Sequence, residues 1–332
     1  MVRVAINGFG RIGRQAAKLI LERPELELVA VNDLTDAATL AHLLRYDTVY
    51  GRYGKVVEVR GDALAVGDET FTVFAEKDPA NLPWRELEID VVIESTGHFT
   101  DAAGAKKHVA AGAKAVVIAA PSKGDDPAPT FLRGVNDQSY GGEEVVNNAS
   151  CTTNSIAPVI QVLHDAFGVE RALMTTVHGY TADQNLQDGP HKDLRRARAA
   201  AHSIAPTSTG AAIATTEVIT ELQDAFDGVA LRVPVICGSI SDITAVLKAD
   251  VTVEQVNAAL SAASESEALK GILAVTDEPL VSSDIVGHPA SAIVDLGLTR
   301  VVGNLVKVFA WYDNEFGYAN RLVELVDKVG SR

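Results

Sequence analysis

The sequence predicts two halves of different architecture. Residues 1–150 read as an α/β domain with a doubly wound parallel sheet, and residues 151–314 as an α+β domain with a mostly antiparallel sheet. Three observations carry this. Short apolar strands alternate with helical patterns through the first third, which implies parallel strands joined by right-handed crossovers. After about residue 150 the strand-like stretches lengthen and the regular alternation stops. The chain has 332 residues, enough for about two domains of roughly 150 each.

The elements follow in order. The stretch 2–9 (VRVAINGF) is a short apolar strand running into a glycine turn. Ile12, Ala16, Leu19 and Ile20 recur at helical spacing, and Glu22-Arg23-Pro24 ends that helix. Residues 26–32 form the next strand and 36–45 a helix. Stretches 56–60 and 70–76 alternate like exposed strands of a hairpin region. The run 90–96 is continuously apolar, as in a strand buried on both faces. A helix over 101–111 and a strand over 113–121 complete the first half.

In the second half a helix begins at Cys151. Strands are expected at 171–178, 239–249 and 304–312, with helices near 210–223 and 252–264. The stretch 314–330 reads as an amphipathic helix with Leu322, Leu325, Val326 and Val329 on one face. There are no internal repeats and no low-complexity linker.

Composition narrows the function classes. Apolar residues make up 47% and charged residues 22%, an ordinary globular mixture. A net charge of −15 argues against non-specific binding to nucleic acid or anionic lipid. No apolar run approaches the roughly 20 residues of a membrane span, and the N-terminus has no secretory h-region. With only two cysteines there is no disulfide framework, so a cytoplasmic setting is expected. An anionic substrate would need local basic residues to overcome the overall repulsion, and residues 192–198 supply a basic stretch.

Gly8-Phe9-Gly10-Arg11-Ile12-Gly13 matches G-x-G-x-x-G between a strand and a helix. The first glycine permits the tight turn, the second lets a pyrophosphate approach, and the third lets helix and strand pack closely. The helix N-terminus attracts the anion. Asp33 lies about 20 residues beyond Gly13, where a carboxylate accepts from a ribose 2′-hydroxyl and repels a 2′-phosphate. A glycine-rich turn alone would be only a turn. Strand, helix and Asp33 together point to a Rossmann-type dinucleotide-binding domain that prefers NAD over NADP.

Cys151 lies in Asn147-Asn148-Ala149-Ser150-Cys151-Thr152-Thr153-Asn154, just before an apolar helix. The positive end of a helix lowers a thiol pKa and favours the thiolate. A thiolate attacks an aldehyde to give a hemithioacetal, and loss of hydride leaves a thioester. Most lone cysteines are buried small hydrophobes, and Cys237 in VPVICGSI fits that description. His178 ends an apolar strand in TVHGYT, where an imidazole serves as base. His42, His98, His108, His164 and His202 have no motif around them. The basic stretch His191–Arg198 would ordinarily be a solvated loop. Here it is followed by Pro206-Thr207-Ser208-Thr209-Gly210, hydroxyls and amides suited to an anion. Arg232 sits inside an apolar strand, where a charge needs a partner or a ligand.

The motifs NGFGRIGR, NASCTTN, TVHGYT, PHKDLRRARAA, PTSTGAA, LRVPV and WYDNEFGY resemble, in this order and over essentially the whole chain, the glyceraldehyde-3-phosphate dehydrogenases. The resemblance implies further roles. Cys151 is then the nucleophile and His178 the base. Thr181 and Arg232 match the site for the substrate phosphate. Ser150, Thr152, Arg196, Thr209 and Gly210 match the inorganic phosphate site, and Arg196 could serve both. Asn314 matches the residue bonding the nicotinamide carboxamide, with Tyr318 flanking that ring. Thr96 and Phe99 fall near the adenosine end, and Lys77 joins the cofactor set. No metal is implied.

The stretch 180–204 resembles a loop packed between subunits of a homotetramer, and the C-terminal helix, 315–332, is expected to return to the first domain. Ser155, Ala119, Phe316, Ile213 and Tyr50 depart from common family residues without removing a group the chemistry requires. Some NADP use stays open.

The implied reaction is oxidative phosphorylation of D-glyceraldehyde 3-phosphate to 1,3-bisphosphoglycerate with reduction of NAD. Two alternatives stand beside it: an erythrose-4-phosphate dehydrogenase, which releases a free acid, and a nucleotide-binding protein without catalytic duty.

Overall fold

The computed structural model describes residues 1–332. The chain forms two compact units, Met1–Ala149 with Ala319–Arg332, and Ser150–Tyr318.

The first unit is built on an eight-stranded sheet. Its order is Val145–Asn147, Ala115–Ile118, Val91–Glu94, Val2–Asn7, Leu26–Asn32, Glu69–Phe74, Ala63–Val66, Val57–Arg60. Neighbours are parallel as far as Glu69–Phe74, and the last two pairings are antiparallel. Val91–Glu94 and Ala115–Ile118 are buried at every position, which is why they read as unbroken apolar runs.

The chain starts at the centre with Val2–Asn7, winds outward through Leu26–Asn32, then returns to place Val91–Glu94 on the other side. This reversal makes a topological switch point at the carboxyl ends of Val2–Asn7 and Val91–Glu94, where open α/β sheets bind ligands. Asp36 and Asp101 cap the helices Ala37–Arg45 and Ala102–Ala110 by accepting from Thr39 N–H and Gly104 N–H.

The region expected as an exposed hairpin differs. A third strand, Ala63–Val66, lies between Val57–Arg60 and Glu69–Phe74. Its Leu64, Ala65 and Val66 are buried, as is Phe71. Gly61 and Gly67, both at positive φ, make the turns on either side of this short strand. Glu69–Phe74 then joins the parallel sheet beside Leu26–Asn32.

The second unit holds another eight-stranded sheet, ordered Ala205–Ser208, Phe226–Val233, Val169–Gly179, Ser239–Leu247, Leu305–Tyr312, Ala292–Asp295, Leu273–Thr276, with Arg300–Val302 also pairing Leu305–Tyr312. It is antiparallel except where Val169–Gly179 meets Phe226–Val233 and Leu273–Thr276 meets Ala292–Asp295. Ser239–Leu247 alternates buried and half-buried residues, with the helix Cys151–Phe167 packed against it. Leu173, Val229 and Leu305 stand exposed on strands of this sheet.

The final helix, Phe316–Gly330, buries Leu322, Leu325, Val326 and Val329. Its end lies on the first strand so closely that a Cβ at Gly330 would meet Val2 Cγ1 at 2.2 Å. Lys328 Nζ pairs with Asp137 at 2.6 Å.

Candidate active site

At the switch point of the first unit, the three motif glycines have different surroundings. A Cβ on Gly8, whose φ is +93°, would meet Thr96 N at 2.7 Å, and a Cβ on Gly13 would lie 2.1 Å from Gly8 O. A Cβ on Gly10 would meet no heavy atom within 4 Å. Two glycines are therefore required by close packing, whereas Gly10 borders open space at the start of the helix Arg11–Ile20. That arrangement fits a dinucleotide pyrophosphate.

Asp33 closes the same turn, its Oδ2 accepting from Phe9 N–H at 2.8 Å and its Oδ1 from Thr35 N–H at 3.0 Å. Phe9 itself points into the core, its ring 6.2 Å from that of Phe71. Arg11 pairs with Asp47 at 2.7 Å, and Ile12 is half-buried. Thr96 is half-buried and held by Glu94, whose Oε1 accepts from its N–H and its hydroxyl. The ring of Phe99 lies under Lys107 Nζ, and Lys77 is exposed just beyond Glu69–Phe74.

In the second unit Cys151 is the first residue of a 17-residue helix. Ser150 caps it, accepting from Thr153 N–H at 3.1 Å. Across from it, the strand Val169–Gly179 delivers His178 at its penultimate position. The Sγ of Cys151 lies 3.4 Å from His178 Nε2. His178 Nδ1 is 2.6 Å from Gly179 O and 2.9 Å from Arg232 Nη1. A proton on Nδ1 donated to Gly179 O leaves Nε2 bare toward the thiol, the tautomer a base needs.

Burial, and next the Arg232 guanidinium, pull the imidazole down to about 3, so the ring is neutral at physiological pH. Burial pushes the Cys151 thiol up, against the downward pull of Arg232 and of hydrogen bonds from Thr152. The helix N-terminus alone would lower this thiol, whereas burial in the folded protein acts in the opposite sense. Cys237, by contrast, is buried and donates to Asp313 Oδ1 at 3.3 Å.

Arg232 donates from Nη1 to Gly179 O at 3.1 Å, and its buried Nε has no hydrogen-bond partner. Strand pairing places it directly beside His178. Arg196 differs: it pairs with Asp183, bonds Thr207 Oγ1 at 2.9 Å and approaches Asp193 at 3.4 Å. Arg198 pairs with Asp188 at 2.7 Å. The basic stretch thus carries its own acids. Thr181, Thr209 and Gly210 line the surrounding loops, with Thr209 Oγ1 accepting from Ala211 N–H at the start of a helix. Thr152 is buried, its hydroxyl 2.9 Å from Tyr312 Oη.

Tyr312 lies in WYDNEFGY, where nothing local marks it for a role at this site. Its hydroxyl also bonds Thr176 Oγ1 at 2.7 Å, and its ring stands edge-on to His178 with centroids 5.9 Å apart. Burial pushes the phenol upward, so it is a neutral wall beside His178. Asn314 is buried, its Oδ1 accepting from Gly238 N–H and from the Ser239 hydroxyl. Tyr318 is buried as well.

Two family models match this chain. The glyceraldehyde 3-phosphate dehydrogenase NAD binding domain matches residues 2–102, and the C-terminal domain of the same family matches residues 150–314. The chain belongs to the glyceraldehyde-3-phosphate dehydrogenase family. It is 55% identical over 333 residues to glyceraldehyde-3-phosphate dehydrogenase 2 of Streptomyces arenae, covering 99% of each chain. The enzyme of Mycolicibacterium smegmatis is 53% identical over 338 residues, covering 99% of this chain and 98% of that one. That of Geobacillus stearothermophilus is 53% identical over 334 residues, covering 100% and 99%. Nothing in these matches favours the erythrose-4-phosphate alternative. No helix of this glyceraldehyde-3-phosphate dehydrogenase family member is long and apolar enough to cross a membrane.

Proposed function

We propose that this chain is a phosphorylating, NAD-dependent dehydrogenase that converts D-glyceraldehyde 3-phosphate to 1,3-bisphosphoglycerate. The observation that carries the reading is the Cys151 Sγ to His178 Nε2 contact of 3.4 Å, with the imidazole held neutral and Arg232 beside it. Cys151 Sγ bonds to the aldehyde carbon, and its proton passes to His178 Nε2. The backbone N–H of Cys151 and the imidazole stabilise the developing oxyanion. His178 returns that proton to the oxyanion to form the hemithioacetal hydroxyl, then takes it again at Nε2 as the carbon is oxidised. When bound, NAD supplies that oxidation by accepting a hydride. The acyl group is left on Cys151 as a thioester, which inorganic phosphate attacks, returning the thiol.

The cofactor is held by the Gly8–Gly13 turn at its pyrophosphate and by Asp33 at its ribose. Asn314 and Tyr318 act toward the nicotinamide, and Thr96, Phe99 and Lys77 toward the adenosine. Arg232 and Thr181 take the substrate phosphate. A guanidinium with a buried, unpartnered Nε and no carboxylate paired to it retains its charge for an anion. Ser150, Thr152, Arg196, Thr209 and Gly210 serve the inorganic phosphate, Arg196 after exchanging Asp183 for the ligand. The protein acts in the cytoplasm as a homotetramer. Exposed apolar residues on the second sheet, Leu173 at 66% among them, supply surface for subunit contact.

The test is the initial rate of NADH formation from glyceraldehyde 3-phosphate with and without inorganic phosphate. A fast, phosphate-dependent rate is expected. A rate indifferent to phosphate would leave the acyl thioester to water and refute the phosphorylating assignment.

A further inference from the structure

We propose that Ser239 is a positioning residue for the cofactor: its hydroxyl fixes the amide of Asn314 with the NH2 group presented to the nicotinamide carboxamide. This rests on the reading of Asn314 given above.

The hydrogen bonds run in one direction. Gly179 N–H donates to Ser239 Oγ at 3.2 Å, so the oxygen acts there as acceptor and its own proton is free to donate. That proton goes to Asn314 Oδ1 at 2.9 Å. The backbone N–H of Gly238, which can only donate, reaches the same Asn314 atom at 3.1 Å. Two donors converge on one end of the side chain, so that end is the carbonyl oxygen and the amide nitrogen lies on the other side. A flipped amide would set NH2 against both donors. An amide held this way offers hydrogen-bond donors, the chemistry that recognises a carboxamide oxygen.

Ser239 is buried, at 1% exposure, and heads the strand Ser239–Leu247, which pairs with both Val169–Gly179 and Leu305–Tyr312. Its backbone pairs with Tyr312, two residues before Asn314. The residue before it is constrained too: Gly238 has φ +94°, and a Cβ there would meet Ser282 O at 2.4 Å. The hydroxyl thus ties the backbone that follows the base His178 to the residue assigned to the nicotinamide. Nothing in the sequence flags this serine, because its two partners lie 60 and 75 positions away.

The test is titration calorimetry of the full-length enzyme with NAD and with ADP-ribose, which lacks the nicotinamide. The variants are S239A, N314A and S239A/N314A. We expect S239A to weaken NAD by about three- to tenfold, the worth of one hydrogen bond, and to leave ADP-ribose unchanged. In the N314A background the same change should cost nothing more, since Ser239 acts through Asn314. Equal loss of both ligands, no loss of NAD affinity, or additive losses would each overturn the proposal. If N314A itself discriminates against neither ligand, the assignment of Asn314 fails instead. Should S239A not fold, S239C, of nearly the same shape and a weaker donor, must show the same ordering at smaller amplitude.

Discussion

Arg232 Nη1 lies 2.9 Å from His178 Nδ1, while His178 Nε2 lies 3.4 Å from Cys151 Sγ. The imidazole therefore has a cation beside one ring nitrogen and a thiol beside the other. Burial of the ring, and next the two positive charges that protonation would bring together, keep the resting imidazole neutral. An anion bound to Arg232 would offset that repulsion, so phosphate binding there would also control the charge of His178.

Replacing Arg232 by alanine should separate these two effects. kcat/KM for glyceraldehyde 3-phosphate should fall by about 10- to 100-fold, the worth of one charge-assisted hydrogen bond or two, and the unphosphorylated aldehyde should lose far less. His178 should also protonate at a higher pH, followed by NMR of its ring protons. Equal losses on the two aldehydes would remove the phosphate role.

Acid should weaken the fold through His178. Its folded-state pKa, about 3, lies below the ordinary 6.5, so the unfolded chain binds the proton first as pH falls. Its contribution is fully present above pH 6.5 and is lost progressively toward pH 3. Urea midpoints of the wild type should drop more steeply between pH 7 and 5 than those of His178→Gln. Parallel slopes would mean that the imidazole is not held neutral by the fold.

His178→Asn removes the proton acceptor while keeping a polar side chain. Turnover should fall by about 10²–10⁴, and alkylation of Cys151 by iodoacetamide at neutral pH should slow with it. A near-normal rate would refute the base assignment.

The glycines of the turn should respond differently. Gly13→Ala would drive a Cβ to 2.1 Å from Gly8 O and should destabilise the protein by about 1–3 kcal/mol. Gly10→Ala meets nothing within 4 Å, so its melting temperature should hold while NAD affinity falls. Undiminished NAD binding by Gly10→Ala would show that the open space does not receive the pyrophosphate.

Asp33→Ala should narrow the preference for NAD over NADP by removing the carboxylate that repels a 2′-phosphate. It also frees Phe9 N–H, so some loss of affinity for both cofactors is expected. An unchanged ratio of the two kcat/KM values would remove Asp33 from the ribose.

The regular elements were legible because their signals are local. Apolar runs marked the buried parallel strands, and Ser150, Asp36, Asp101 and Thr252 mark helix starts by accepting from backbone amides three residues on. The strand Ala63–Val66 was missed because four residues between two glycine turns carry no period. The basic stretch looked like a source of free positive charge, yet Asp183, Asp188 and Asp193 fold back onto Arg196 and Arg198.

By itself, then, the sequence determined the order of elements, the glycine turn and the residue types placed at strand and helix ends, since these depend on neighbours a few positions away. Only the tertiary structure decided that Cys151 and His178 meet, that burial and Arg232 depress the His178 imidazole, that burial opposes the helix terminus at the thiol, and that the Ser239 hydroxyl bonds Asn314 Oδ1. Those relationships depend on distances and burial set by strand pairing across dozens of residues, and no local pattern encodes them.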